Sequence, residues 1–152
     1  MKTDYYAWAA RRCAQKEYSR AEMMAKLMEK GATAPEARDC VDRLADERYL
    51  DDARFAKAFV SDKVRFDHWG RVKIRYALHL KGVADELTEE ALAEIDETLY
   101  REQLAQYIAA KRRTISAPTP YLANQKVARS AISRGYEPAL VFEALKWEEG
   151  EE

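Results

Sequence analysis

The sequence predicts an all-α protein built from three tandem three-helix repeats that form an elongated, curved body. Apolar residues recur with helical periodicity along nearly all of the 152 residues, and no segment shows the alternation of a half-buried strand. Glycines that end helices also recur at nearly regular intervals. We expect the repeats to occupy residues 1–50, 51–100 and 101–152.

Helix starts can be recognised from local chemistry. SRAE at residues 19–22 and TAPE at residues 33–36 fit the capping box, in which a hydroxyl and a glutamate bind unpaired backbone amides. Asp51 or Asp52 can cap the helix that follows them. Proline occupies a predicted first helical position at Pro120, after Thr119, and at Pro138, after Glu137.

The repeat is based on three glycines that follow a basic residue. Gly31, Gly82 and Gly135 lie 51 and 53 residues apart. Apolar residues occupy the same positions around each glycine: Met23, Ile74 and Val127 eight residues before; Leu27, Leu78 and Ala131 four before; and Val41, Leu92 and Leu145 ten after. Each unit therefore reads as helix, helix, glycine turn, helix.

The second helix of the middle repeat carries two apolar stripes, whereas one is enough to attach a helix to its own core. The first comprises Ile74, Ala77 and Leu78, and the second comprises Val72, Tyr76 and Leu80. A central repeat that contacts neighbours on two sides would need both, and a partner-binding face is the alternative. We expect the second stripe to pack on an adjacent helix, leaving Arg71 and Arg75 at an exposed edge.

Composition places the chain among soluble cytoplasmic proteins. It is 47% hydrophobic and 35% charged, and it has no apolar run of membrane-spanning length and no signal-peptide pattern. Cys13 and Cys40 lie in amphipathic segments and are expected to be buried free thiols. No metal-ligand spacing, phosphate-binding loop or catalytic triad is recognisable, so we expect neither an enzyme nor a bound metal or cofactor.

Charge is segregated along the chain although the formal net charge is only -1. Residues 63–81 carry six cations and one acid, residues 85–102 carry eight acids and one cation, and residues 103–134 carry six cations and no acid. These blocks can be solvated faces that attract one another. Arginine and aromatic residues dominate binding hot spots, however, which favours a contact role for the middle basic helix.

The candidate partner-binding residues are therefore those of the basic blocks and the nearby tryptophan: Lys63, Arg65, Trp69, Arg71, Lys73, Arg75, Lys111, Arg112 and Arg113. Trp69 aligns with Tyr18 of the first repeat and is expected mainly to anchor its helix. A dedicated DNA-binding domain usually has a pI above about 9. Because the pI of this chain is about 6.2, strong autonomous DNA binding is disfavoured.

Two adjoining segments resemble the central signature of the RecX family, bacterial regulators of the RecA recombinase. They are RYLDDARFAKAFVSDKVR, residues 48–65, and WGRVKIRYALHLKGV, residues 69–83, and a looser similarity extends over nearly the whole chain. The family often has GYG or a similar sequence where this chain has DHWG. The resemblance implies tandem three-helix repeats, in agreement with the pattern above.

The resemblance also implies a non-enzymatic function. Such a protein binds RecA, as monomer and as filament on single-stranded DNA, and inhibits ATP hydrolysis, strand exchange and filament growth. A weak contact with single-stranded DNA, a monomeric state and no membrane partner are further expectations. Two other interpretations stay open: a helical-repeat module that binds DNA directly, and a helical adaptor for another partner.

Overall fold

The computed structural model describes the backbone of residues 4–149 and the side chains of residues 4–146. Residues 1–3 and 150–152, at the ends of the predicted outer repeats, lie outside this range, as do the side chains of the acidic stretch from residue 147. Over the described residues the chain forms nine α-helices and no strand, which confirms the all-α prediction. They are α1 (Tyr5–Gln15), α2 (Arg20–Glu29), α3 (Ala34–Asp46), α4 (Asp52–Arg65), α5 (Arg71–Leu80), α6 (Asp85–Leu92), α7 (Glu97–Thr114), α8 (Pro120–Ser133) and α9 (Pro138–Glu149).

The predicted helix starts are confirmed. Ser19 and Thr33 cap α2 and α3, and both capping boxes are complete, with Glu22 and Glu36 as the reciprocal partners. Asp51, rather than Asp52, caps α4, because its carboxylate accepts the Arg54 amide at 3.0 Å. Prolines open α8 and α9 as the sequence indicated.

The three glycine turns have the same local structure. Gly31, Gly82 and Gly135 all have positive φ, of 120°, 77° and 103°, which is the conformation that favours glycine after a helix. In each turn the amide of the next residue donates to the carbonyl five residues earlier: Ala32 to Leu27, Val83 to Leu78, and Tyr136 to Ala131. All nine apolar residues that define the sequence repeat are at most 5% exposed. The glycine-based alignment thus identified equivalent core positions.

The chain divides into two compact units. One comprises the chain up to Phe59 together with Ala77–Ala91, and the other comprises Val60–Tyr76 together with the chain from Leu92 onward. The first contains a core built on Met23, Leu27 and Leu44, and the second contains a core built on Tyr100, Ile108 and Tyr136. Each predicted repeat corresponds to a triplet of consecutive helices. The middle triplet, α4 to α6, contributes to both units, so the repeat boundaries stay a prediction.

Each unit contains an end-on contact, in which the start of the second helix of one triplet, α2 or α5, meets the glycine turn of the next triplet. In the first, the Ser19 hydroxyl donates to the Lys81 carbonyl at 2.7 Å. In the second, the Gly70 amide donates to the Arg134 carbonyl at 3.0 Å. Ser19 and Gly70 occupy equivalent positions, twelve residues before Gly31 and Gly82, and each acceptor directly precedes a turn glycine. The end-on contact therefore recurs with the sequence repeat.

Both cysteines are free thiols, as predicted: Cys40 is buried and Cys13 is half-buried. Burial raises the pKa of both thiols above the ordinary value.

Candidate partner-binding surface

An intramolecular network centred on Arg71 fixes the start of α5. The Arg71 side chain is only 17% exposed, and its guanidinium pairs with Glu137 at 2.7 Å and also with Glu97. It lies over the Tyr100 ring, with Cζ 3.9 Å from the ring centroid. The Tyr100 hydroxyl accepts the Arg71 amide at 3.0 Å and donates to Glu137. The expectation that Arg71 lies at an exposed edge was wrong, because α7 and the turn before α9 supply carboxylates and a ring that enclose it.

The protonation of this network follows from its contacts. Burial and the hydrogen bond to Glu137 raise the pKa of the Tyr100 phenol, so that it remains a donor. Burial alone would raise the pKa of Glu97, but hydrogen bonds from Arg101 and Arg71 outweigh that effect and lower it. Arg71 therefore meets an ionised Glu97 carboxylate at neutral pH.

Trp69 gathers two of the predicted cations just before α5. The Lys63 and Lys73 ammonium groups lie 4.6 and 4.4 Å from its ring centroid, within the range of cation–π attraction. Lys63 also pairs with Asp67 at 2.9 Å. The half-buried Trp69 ring thus holds the end of α4 and the start of α5 together, which is the anchoring role expected for it.

The outward face of α5 is apolar with a cationic border. Val72 is 46% exposed, Tyr76 64% and Leu80 68%. Arg75 and His79 are also exposed and share this face. The expectation that this stripe packs on a neighbouring helix was therefore wrong.

The end-on contact explains why the outward apolar stripe of α5 is not needed for packing. The Val72 amide donates to the Gly135 carbonyl at 3.0 Å, and the backbone of Gly70 approaches that of Gly135. The start of α5 is thus attached through its backbone. Its inward stripe is buried through Ile74 and Leu78, each 0% exposed, which leaves the outward stripe in solvent.

The remaining candidate residues do not all lie together. Arg65 is exposed at the end of α4, with its guanidinium 5.7 Å from the Phe66 ring centroid. Lys111, Arg112 and Arg113 occupy the last turn of α7. Glu97, which pairs with Arg71, opens the same helix fourteen residues before Lys111, or about 21 Å along the axis at 1.5 Å per residue. The structure therefore separates this basic run from Arg71.

Sequence reasoning missed the partners of Arg71. Glu97 lies in the first turn of α7 and Glu137 directly precedes α9, positions that are also favourable for carboxylates near a helix N-terminus. The acidic character of these positions was visible in the sequence, but their pairing with a distant arginine was not.

Comparison with known proteins identifies the family. The model described as "RecX, second three-helix domain" matches residues 51–92. A curated "Regulatory protein RecX" from Clostridium perfringens is 31% identical over 133 residues, which cover 85% of this chain and 61% of the relative. Another from Chlorobaculum tepidum is 29% identical over 144 residues, covering 95% and 88%. The chain belongs to the RecX family.

Solved RecX structures share the fold. The crystal structure of RecX from Lactobacillus salivarius superposes with a TM-score of 0.84 at 18% identity and covers 93% of this chain and 92% of that one. The match to the RecX protein of Chromohalobacter salexigens, 40% identical over 84 residues, spans 55% of each chain. The chain thus spans little more than half of that curated relative. RecX proteins are named as regulatory proteins.

None of the helices in the described part of the chain combines the length and the apolar character that a membrane span requires.

Proposed function

We propose that this RecX protein binds the RecA recombinase, alone and as a filament on single-stranded DNA, and thereby inhibits ATP hydrolysis, strand exchange and filament growth. The regulatory name of the curated relatives supports this proposal, as does the similarity of residues 48–83 to the family signature. In this function the protein acts by contact and carries out no reaction of its own.

The exposed face of α5 is the observation on which the proposal rests. Val72, Tyr76 and Leu80 form a row of large apolar side chains on one helix, with Arg75 beside them. Large exposed apolar residues that adjoin one another are typical of protein interaction sites, and tyrosine and arginine are enriched in hot spots. We assign this face, the α5 face, as the centre of the recombinase contact.

The cations around the α5 face form the border of the proposed interface. Arg65 and Arg75 are exposed, and Lys73 is held against Trp69. Border charges of this kind mainly raise the association rate and make it sensitive to salt. Arg71 contributes indirectly, because it holds the start of α5 in place, and the run of Lys111, Arg112 and Arg113 would form a second, separate contact.

A titration into a RecA ATPase assay with single-stranded DNA tests the proposal. The wild-type protein should suppress hydrolysis, and the double substitution Tyr76→Ala and Leu80→Ala should weaken suppression by about 30-fold or more in concentration, since a hot-spot truncation costs about 2 kcal/mol or more. Both side chains are mostly exposed, so the thermal melt should barely change.

The matched control is Tyr121→Ala with Leu122→Ala on α8, whose side chains are 69% and 44% exposed. This pair removes the same residue types from another helix and should leave suppression intact. Suppression that is equal for wild type and the α5 variant would exclude the α5 face. A wild-type protein that leaves RecA activity unchanged would refute the proposed function and favour an adaptor for another partner.

A further inference from the structure

Helices α1 and α2 enclose a groove of about 360 Å³ that no residue of the α5 face lines. Its lining combines two aromatic rings with charged side chains: Trp8, Arg12, Tyr18, Lys26, Glu29 and Lys30. All of these residues lie in the unit that contains the first core. The groove therefore belongs to one compact unit.

Four cations, the groove cations, are held over the two rings. They are Arg12 and Lys16 from the α1 side, and Lys26 and Lys30 from the α2 side. Arg12 and Lys30 lie 5.2 and 4.8 Å from the Trp8 ring centroid, and Lys16 and Lys26 lie 4.8 and 5.7 Å from that of Tyr18. Because the two cations of each side are four residues apart, they form two rows with a spacing of about one helical turn.

The positive charge of the groove is not neutralised. A cation–π contact orients an ammonium or guanidinium group without cancelling its charge, unlike an ion pair. Over the described part of the chain, no carboxylate oxygen lies within 4.0 Å of any groove cation. Glu22 is close enough to Lys16 for the lysine to lower its pKa, but its carboxylate is already paired with Lys81. Glu29 is the acid of the lining, so four ordered cations face a single carboxylate.

The construction of the groove does not suit a nucleic acid strand. Sites for single strands offer aromatic faces on which bases stack, whereas Tyr18 is 7% exposed and the half-buried Trp8 ring lies beneath cations. A phosphate backbone carries a negative charge at every nucleotide and would have to pass Glu29. These features favour an anion whose charges are separated by neutral groups.

We infer that this groove, which we call the α1–α2 groove, binds an acidic segment of a partner protein. Lysine and arginine bind carboxylates through charge-assisted hydrogen bonds. Glutamates four residues apart on a helix have the same one-turn spacing as the groove cations. Neutral or basic side chains between the glutamates can pack against Glu29, an option that a phosphate backbone lacks.

Fluorescence anisotropy of a labelled peptide, with no recombinase present, tests the inference. The peptide has glutamate at every fourth position among alanines and glutamines, and its control has glutamine in place of each glutamate. Wild-type protein should bind the glutamate peptide in about 20 mM salt and bind it about tenfold more weakly in about 150 mM salt, because the Debye length falls from about 20 Å to about 8 Å. The glutamine peptide should not bind.

Two double variants remove one row of groove cations each. Lys26→Gln with Lys30→Gln should weaken binding of the glutamate peptide about tenfold in low salt, since each exposed charge pair contributes a factor of roughly two to five. Arg12→Gln with Lys16→Gln removes the opposite row and should have the same effect.

Two controls separate the groove from net charge and from the α5 face. Arg38→Gln with Arg48→Gln makes the same change in net charge at two exposed cations of the same unit that lie outside the lining, and it should bind the peptide like wild type. The Tyr76 and Leu80 variant should also bind it like wild type, so this test can fail without affecting the proposed recombinase contact.

Three results would overturn the inference. The first is a wild-type protein that binds the glutamate and glutamine peptides equally in low salt. The second is a pair of groove variants that bind the glutamate peptide no more weakly than the Arg38 and Arg48 variant. The third is displacement of the labelled peptide by oligothymidylate at a lower charge concentration than by the unlabelled peptide, which would assign the groove to a nucleic acid.

Discussion

Arg71 stabilises the fold, although its sequence context is typical of a residue that binds a partner. An arginine on a basic helix beside a tryptophan has the features of a contact residue, yet this side chain is 17% exposed. Two carboxylates and a tyrosine ring satisfy it inside the protein. Arg75, one turn later on the same helix, is exposed and remains a candidate for direct contact.

Replacement of Arg71 by alanine should therefore lower the stability of the protein. The substitution leaves Glu137, with a 28% exposed side chain, without its guanidinium partner and removes the group stacked on Tyr100. Breaking such a partly buried pair costs about 2 to 4 kcal/mol, and the melting temperature should fall by about 5 to 12 °C. Thermal unfolding followed by circular dichroism measures this loss.

Arg101→Ala provides the control for that experiment. Arg101 pairs with Glu97 and Glu143 but is 50% exposed, so its removal should cost less than about 1 kcal/mol. Equal melting temperatures for wild type and the Arg71 variant would show that the network does not hold α5.

Among the helices, α2 has its start fixed by two kinds of contact, a capping box and an ion pair. Glu22 accepts the Ser19 amide at 3.0 Å within the capping box, and its carboxylate pairs with the Lys81 ammonium at 3.0 Å. Burial alone would raise the pKa of Glu22, but the Ser19 amide and Lys81 outweigh it and lower the pKa from its ordinary value of 4.5. The ionised carboxylate is therefore favoured in the folded state.

The stability that Glu22 supplies should depend on pH in a defined direction. A carboxylate with a lowered folded pKa stabilises the protein above about pH 4.5, and the stabilisation is lost as the pH falls through the folded pKa. Glu22→Gln should therefore lower the melting temperature at pH 7 by about 2 to 4 °C, the effect of roughly 1 kcal/mol, and by much less near pH 3.

Melting curves of wild type and the Glu22 variant at both pH values measure the difference. Glu36→Gln in the capping box of α3 is the matched control, because it removes the same type of cap. A difference between wild type and the Glu22 variant that is as large at pH 3 as at pH 7 would contradict the ionic contribution.

The elements also show what the sequence could predict. Capping boxes, first-turn prolines and glycine turns were predicted correctly because each depends on residues within one or two helical turns. The core positions Met23, Ile74 and Val127 were found through the same local register around the glycines.

Contacts over long sequence distances were not predictable in this way. Glu97 and Glu137 lie 26 and 66 residues from Arg71, and no local pattern links them. The exposure of Val72, Tyr76 and Leu80 depended on how the start of α5 meets the next triplet. Backbone atoms make that contact, so the apolar pattern of the side chains could not reveal it.

Across the whole molecule, both end-on contacts bring a glycine close to another small residue. Gly82 approaches Ala21, and Gly70 approaches Gly135. The third triplet differs, because its second helix is capped sixteen residues before its glycine, at Thr119, instead of twelve. The added turn exposes Tyr121 at the start of α8, so this helix start does not repeat the geometry of the other two. Atypical terminal repeats of this kind are expected in repeat proteins.

Gly70→Ala is the sharpest test of the end-on contact. A Cβ at residue 70 would lie 2.2 Å from the Gly135 carbonyl carbon and from the Tyr136 amide nitrogen, and neither backbone atom can move aside as a flexible side chain can. The contact must therefore open, with loss of the hydrogen bonds from Gly70 and Val72 to the glycine turn. We expect a cost of about 3 kcal/mol or more and a fall in melting temperature of about 6 °C or more.

Gly31→Ala separates this effect from the general cost of replacing a glycine. Gly31 has φ of 120°, but among the atoms of the described residues an added Cβ would meet the Tyr5 hydroxyl oxygen alone, at 3.4 Å. Its cost should be limited to backbone strain of about 1 to 2 kcal/mol. If the end-on contact fixes α5, the Gly70 variant should unfold at a lower temperature than the Gly31 variant. Under the proposed function, it should also suppress RecA less well even where it remains folded. The reverse order of melting temperatures would mean that this contact contributes little to the fold, and that α5 is fixed by the Arg71 network alone.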